Sequence, residues 1–398
     1  MNIFSTTFDY QKRLDKIRKL MDEHDMDAIL VHLWPNQYFI SGMYQHLPWY
    51  PLEIAPPTES PLIVFRDRGE APVFICDSLT SNALKEATWI KDLRIIDQGP
   101  LGKRTWSECT AEVLREKKVD AGKIGLEEEV CVLCTFKKLQ SVLPKAQFKA
   151  ADDLLQFARM IKEPEEIQLI KESVAIAEAG LRVGMETAKV GVIESEVQKA
   201  AEIEMKRRGA IREVETMVQS GIRTANYRAM GANWKKIGEN ELVAIDIGCV
   251  YKGYGSDITR TWAVGKPTDE QKKITRDLRE IYQKVLAFMK PGLTFREVAE
   301  FGKKETRMAG YSTREDPHSL PSTDKGAGGV TTHGVGLGPF HDFPPAWDWE
   351  RDVKLESGMV LSVTVGVRLK TFTIRYEDDL VLLPEGPEVI NKLIPWEL

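Results

Sequence analysis

Asp246 and Asp257 are the groups in this sequence best placed to do chemistry. Asp246 interrupts an apolar, β-prone run made of Leu242, Val243, Ala244, Ile245, Ile247 and Val250, and Asp257 opens a second such run, Ile258 to Val264. Gly248, Gly253 and Gly255 lie between them, so the pattern predicts a hairpin that folds one acid beside the other. Two carboxylates in an apolar setting repel each other and lose hydration. They stay ionised cheaply only with a cation or basic group between them. One acid alone would read as a strand cap or a solvated side chain; the pair predicts a metal site.

Further candidates lie downstream. His333 and His341, two of six histidines, fall in THGVGLGPFHDF, just after Gly326-Ala327-Gly328-Gly329. Glycines let a backbone approach a ligand closely, so the two histidines read either as packed or capping residues or as functional groups of a glycine-rich turn. Glu377 interrupts the β-rich run Phe372 to Leu382 much as Asp246 interrupts its own.

The elements that must position these groups form two sets. In the first third, helical spacing at Tyr10, Leu14, Ile17, Leu20 and Met21 is followed by a short strand at Asp27 to Val31. Strands are expected at Leu62 to Phe65, Pro72 to Cys76, Leu93 to Ile96 and Lys123 to Leu126, and helices near Ser81 to Trp89, Ser107 to Lys117 and Thr135 to Val142. The alternation predicts an α/β domain over residues 1–158. Leu47 to Pro61 breaks it with five prolines, Trp49 and Tyr50, and reads as a stiff exposed loop, either a connector or a lid or dimer contact. ARMIKEPEE, Ala158 to Glu166, marks the boundary with a second domain, 159–398. There, helices to Arg182, from Glu194 to Arg208, Asp269 to Met289 and Phe295 to Met308 are expected around an antiparallel sheet that includes Gly358 to Val367.

Composition narrows the function. A chain of 398 residues predicts two domains. The formal charge of −5 and pI near 5.9 predict no nucleic-acid or anionic-membrane partner. No apolar run reaches bilayer-spanning length and the N-terminus lacks a signal-like pattern, so a soluble, cytoplasmic protein is expected. Five scattered cysteines agree with a reducing compartment. Cys131 and Cys134 form a CxxC, but Val130, Val132 and Leu133 around them predict buried thiols rather than a zinc or redox site.

With these motifs in hand, the chain resembles the family of methionine aminopeptidase, prolidase, aminopeptidase P and creatinase, whose catalytic domain is the α+β pita-bread fold. The matching pieces are Asp246 and Asp257 with their spacing, THGVGLG at His333, ESGMVLSV, and RYEDDLVL at Glu377. NQYFISG at Asn36 and RMIKEPEE at Arg159 resemble the N-terminal domain and linker of the creatinase and prolidase branch. The resemblance implies a hydrolase of peptide or amide C–N bonds with one or two divalent ions, Mn, Co, Fe or Zn. Asp246 would hold one ion, Asp257 and Glu377 would bridge two, and His333 would bind the second. His341 would contact the substrate or the developing oxyanion, although it lies one residue further from His333 than the family pattern. A homodimer acting on a short peptide or small molecule is implied.

Two departures matter. Thr364 stands where the family carries its remaining metal-binding glutamate, and a neutral hydroxyl neither replaces a carboxylate ligand nor shuttles a proton. Three matched carboxylates face the four charges of two divalent ions, so a second ion is expected to bind weakly or not at all; Asp379, two residues beyond Glu377, reads as a replacement charge or, by preference, as an acid that is solvated or that supports the ligands from behind. Arg228 stands where a substrate-facing histidine is usual, and reads as a surface ion-pair partner or as a carboxylate-binding group for an anionic substrate. Arg375 matches a family arginine and would either orient the ligand carboxylates or touch substrate. The leading expectation is an Xaa-Pro dipeptidase or aminopeptidase P type enzyme with a modified second metal site. The alternative is a specialised creatinase-like, ectoine-hydrolase-like or sulfonium-lyase-like enzyme.

Overall fold

The computed structural model describes residues 8–43, 61–78, 81–96, 105–226, 231–313, 327–338, 342 and 353–391. The chain divides into two compact units, Met1–Arg159 and Met160–Leu398. Arg228, His341 and all of the proline-rich segment but Pro61 lie outside the described residues.

The first unit alternates helix and strand: α1 (Tyr10–Glu23), β1 (Ala28–Val31), α2 (Trp34–Ser41), β2 (Leu62–Phe65), β3 (Val73–Asp77), α3 (Ser81–Ala87), β4 (Asp92–Ile96), α4 (Trp106–Glu116), β5 (Lys123–Leu126), α5 (Leu133–Val142), β6 (Gln147–Ala150) and α6 (Asp152–Met160). Its strands form one mixed sheet in the order β4-β3-β2-β1-β5-β6. Trp106, Val113 and Leu114 of α4 and Leu139 of α5 bury their apolar faces with Leu30, Ile63, Ile75 and Ile124 of the sheet. α2, β6 and α6 are additions to the elements expected from sequence. α2 begins where the buried Glu127 carboxylate accepts hydrogen bonds from the His32 and Leu33 backbone N–H groups at 2.5 and 2.7 Å. That acid, remote in sequence, also accepts the Asn36 side-chain amide at 2.5 Å and so pins the chain where it enters α2. The CxxC expectation fails: Cys131 is half-buried and Cys134, in the first turn of α5, is exposed.

The second unit runs α7 (Pro164–Thr187), α8 (Glu194–Arg207), β7 (Arg212–Ser220), a 3-10 turn (Gly221–Asn226), β8 (Glu241–Tyr251), β9 (Tyr254–Gly255), β10 (Ile258–Val264), α9 (Asp269–Phe288), α10 (Phe295–Met308), β11 (Ser312–Thr313), β12 (Ala327–Gly334), β13 (Val360–Arg368), β14 (Thr373–Leu383) and β15 (Gly386–Val389). These strands form one sheet, β11-β12-β13-β14-β10-β8-β7, with β15 on β14 and β9 on β8. Thr268 with Gln271, and Thr294 with Glu297, close capping boxes that start α9 and α10.

Alternation along β8 sets the site. Val243, Ile245 and Ile247 pack with Ala177, Leu181, Val197 and Ala201 of α7 and α8, so Ala244 and Asp246 point to the opposite face. Each such aliphatic side chain contributes roughly 1.5–3 kcal/mol on burial, and a one-residue slip would forfeit all three while forcing Asp246 into the helix layer. The predicted hairpin forms, but its turn is Lys252-Gly253, both at positive φ (47° and 91°), a two-residue arrangement that matches strand twist. Gly248 lies inside β8 instead. His333 also differs from expectation: it sits on β12, paired with Ser362 of β13, not in a turn.

Candidate metal centre

Three parallel rows of side chains cross the face of this sheet that carries Asp246. The middle row is set by direct pairing of Asp246 with Thr259, Thr259 with Glu377, and Glu377 with Thr364. Two residues along the strands, on the same face, lie Asp379, Ser362 and His333, joined by Asp257 just before β10. Two residues the other way lie Arg375, Thr261 and Ala244. Five strands thus deliver four acids, an imidazole, a guanidinium and the hydroxyls of Thr259, Thr261, Ser362 and Thr364 to one patch.

Glu377 is its centre and is fully buried. Oε1 accepts hydroxyl hydrogen bonds from Ser362 at 2.8 Å and Thr364 at 2.5 Å, while Oε2 accepts one from Thr259 at 2.9 Å and another from Arg375. Arg375 also pairs with Asp246, so its guanidinium spans the gap between the two carboxylates. Beside it opens a small cleft of about 20 Å³, continuous with solvent, whose walls include Met217, Gln219, Thr224 and Thr373.

His333 Nδ1 lies 3.2 Å from the Gly334 carbonyl oxygen. Donation there turns Nε2 toward Glu377 Oε1 at 3.4 Å and Asp257 Oδ2 at 3.5 Å. A ring nitrogen and two carboxylate oxygens converging on one gap require something positive in it, a proton on the ring or a metal cation. Ligand atoms of Asp257, His333 and Glu377 all lie within 4.8 Å of one another, and this is the group among the described residues that could hold a metal ion. One imidazole with hard carboxylate oxygens suits a first-row divalent ion, so the residues present fit one such cation. Asp246, expected as a fourth ligand, stands outside the trio and is joined to Glu377 through Arg375 and Thr259.

Electrostatics follow the crowding. Burial pushes the Asp257 carboxyl well above the usual range, and the charges of Glu377, Asp246 and Asp379 push it further. Burial raises Asp246 against the pull of Arg375, with Glu377 adding to the rise. Burial acts to raise Glu377 as well, yet the Arg375 guanidinium, the His333 ring and the Thr364 hydroxyl hold it below the ordinary glutamate value. Asp379 is fully buried rather than solvated, and its Oδ2 accepts the Asp257 backbone N–H at 2.9 Å, which fixes the turn into β10. Sequence reading missed Thr259 and Ser362 as donors to Glu377. The signal is Asp257-x-Thr259-x-Thr261 and Ser362-x-Thr364, polar residues at every second position of apolar strands.

The chain is similar over nearly its full length to known proteins. Over 96% of this chain and 97% of its own length, an Xaa-Pro dipeptidase of Pyrococcus horikoshii is 28% identical to it. One from Lactobacillus delbrueckii subsp. lactis is 27% identical over 94% of this chain and 95% of its own. Among solved structures, an Xaa-Pro dipeptidase from Bacillus anthracis superposes with a TM-score of 0.82 at 25% identity, covering 97% of this chain and 98% of that one. The prolidase from Pyrococcus horikoshii gives 0.78 at 27% identity, covering 96% and 99%. Residues 13–161 match the creatinase/prolidase N-terminal domain, and the second unit has the expected pita-bread fold. With residues 168–384 matching its sequence profile, more than half of the protein, the chain belongs to metallopeptidase family M24.

Proposed function

We propose that this protein is a metal-dependent hydrolase of short peptides, an Xaa-Pro dipeptidase in substrate preference, with Asp257, His333 and Glu377 as metal ligands. The observation that carries the reading is the gap between those three residues, built on a chain similar over nearly its full length to proteins described as Xaa-Pro dipeptidases. That likeness also favours it over the specialised non-peptidase alternative.

A bound divalent ion, Mn, Co, Fe or Zn, supplies Lewis-acid polarisation of the scissile carbonyl and acidifies water. The chain's own residues do the rest. Arg375 holds Asp246 and Glu377 in fixed orientation, and Asp379 holds the backbone of Asp257. Thr364 donates its only proton to Glu377, and a hydroxyl so committed does not relay protons for the reaction. Arg228 and His341 remain substrate-binding assignments in this reading, with His341 as the oxyanion contact. A homodimer is part of it, a reading drawn from the resemblance, and sedimentation checks it. A cytoplasmic site of action is supported by the scattered cysteines. Among the described residues no helix is long and apolar enough to cross a membrane.

The test is release of free proline from a panel of Xaa-Pro dipeptides. Activity that stops with a chelator and returns with added metal is expected. A metal-loaded enzyme inert toward the whole panel refutes the reading.

A further inference from the structure

Lys162 Nζ donates to Asp342 Oδ2 at 3.1 Å, with both side chains 1% exposed. Two charges withdrawn from water give up hydration that their attraction barely returns, so such a pair adds little stability over an apolar pair of the same size. What it adds is direction. The Lys162 backbone N–H donates to the Gly358 carbonyl, just before β13, at 2.9 Å, and Nζ also lies 3.4 Å from the Met160 carbonyl oxygen. From the other side the backbone at Gly336 closes over the pair: a Cβ there would collide with Asp342 Oδ2 and lie 2.8 Å from Lys162 Cε. Gly336 is itself tied to the β8–β9 hairpin, its carbonyl accepting the Gly255 N–H at 2.8 Å.

The pair reaches the metal centre through one carbonyl. The Asp342 backbone N–H donates to the Gly334 carbonyl oxygen at 2.9 Å, and the same oxygen lies 3.2 Å from His333 Nδ1. Gly334 ends β12, and glycine has the widest choice of backbone conformation, so without the Asp342 N–H that carbonyl is free to swing. The His333 ring would follow it, because donation from Nδ1 is what leaves Nε2 bare and aimed at Asp257 and Glu377.

We propose that Lys162 is a positioning residue of the metal centre: through Asp342 it holds the Gly334 carbonyl, and that carbonyl fixes the tautomer and the angle of the His333 ring. Lys162 touches neither metal nor substrate in this role. The inference rests on His333 as a metal ligand, as in the reading above, and not on the identity of the substrate.

Calorimetric titration with Mn²⁺ and urea unfolding of the metal-free protein, run on the same full-length variants, test it. Lys162→Met combined with Asp342→Leu removes both charges at once, so stability should return most of the way to the parent while Mn²⁺ binds about tenfold or more weakly. A pair that merely held the fold would move the unfolding curve and leave binding alone. A folded double variant that binds Mn²⁺ within about threefold of the parent therefore overturns the proposal. If the double variant does not fold, Asp342→Asn, which keeps the shape and removes the charge, takes its place with the same two outcomes. Nitrogen-15 NMR of the Zn²⁺-loaded parent reads the ring directly. His333, recognised by the signal lost in His333→Gln, should carry its proton on Nδ1, and a bare Nδ1 overturns the proposal. Parent-like Mn²⁺ binding in the double variant, with Xaa-Pro hydrolysis by the parent, sinks this inference and leaves the proposed function standing. Weakened binding in the variant, with no peptide turnover by the metal-loaded parent, does the reverse.

Discussion

Replacing Thr364 by valine should weaken the metal-free protein and tighten its grip on metal. The substitution keeps the branched shape and removes only the hydroxyl that donates to Glu377 Oε1 at 2.5 Å. A hydrogen bond to a charged acceptor contributes about 1.5–3 kcal/mol, and three other donors still serve the carboxylate, so a loss of about 2 kcal/mol is expected without metal. An ion binding at Oε1 must displace either Thr364 or Ser362. In the valine variant that displacement is already made, so affinity should rise by about 1.4 kcal/mol, or tenfold. Urea unfolding of the chelator-treated protein reads the first quantity and calorimetric titration with Mn²⁺ reads the second. Thr364→Ser, which retains a hydroxyl, should stay near the parent in both. Unchanged metal-free stability together with weaker binding in Thr364→Val would refute the picture of a carboxylate saturated by hydroxyls.

Other expectations are independent of that one. His32 is buried edge-on to Trp106, and burial lowers its pKa to about 4. The unfolded chain then binds a proton that the folded one refuses, so stability falls as pH drops from about 6.5 toward 4 and levels below that. Between pH 7.5 and 5 the protein should lose about 2 kcal/mol that a His32→Phe variant keeps, measured by urea unfolding at each pH. Lys162 and Asp342 form an ion pair at 3.1 Å with both side chains 1% exposed. Lys162→Met alone should cost about 3–5 kcal/mol, and adding Asp342→Leu should recover much of it, as a double-mutant cycle would show. Gly302 of α10 lies where an added Cβ would sit 2.7 Å from the Val330 side chain on β12. Gly302→Ala should therefore destabilise by about 1–3 kcal/mol and, because β12 carries His333, loosen metal binding, both read from thermal melts with and without Mn²⁺.

What could be read from sequence depended on range. Leu62 to Phe65 and Lys123 to Leu126 were legible to the residue because a short apolar run between turn residues carries its own signal. β7 was not, since REVETMVQS mixes charge into a strand whose pairing with β8 decides it. β12 was hidden by its glycines, which suggest a loop; pairing with the apolar β13 and cover from α10 override that preference. At the site, the residue types of Asp246, Asp257, His333 and Glu377 were visible. Their partnerships were not: Arg375 meets Asp246 across 129 positions and Thr259 meets Glu377 across 118. No local pattern encodes which polar side chain of one strand faces which of another.

The three residues proposed as metal ligands come from the turn into β10, from β12 and from β14, strands that are assembled only when most of the sheet has zipped up. A partly folded chain has no pocket to offer, so metal cannot act as a seed around which this unit condenses. Held by the proposed ligands, it would act instead as a latch on the finished sheet. Cells short of metal would accumulate correctly shaped but inactive protein that awaits loading, and refolding in the test tube should proceed at the same speed with or without Mn²⁺ while unfolding slows in its presence.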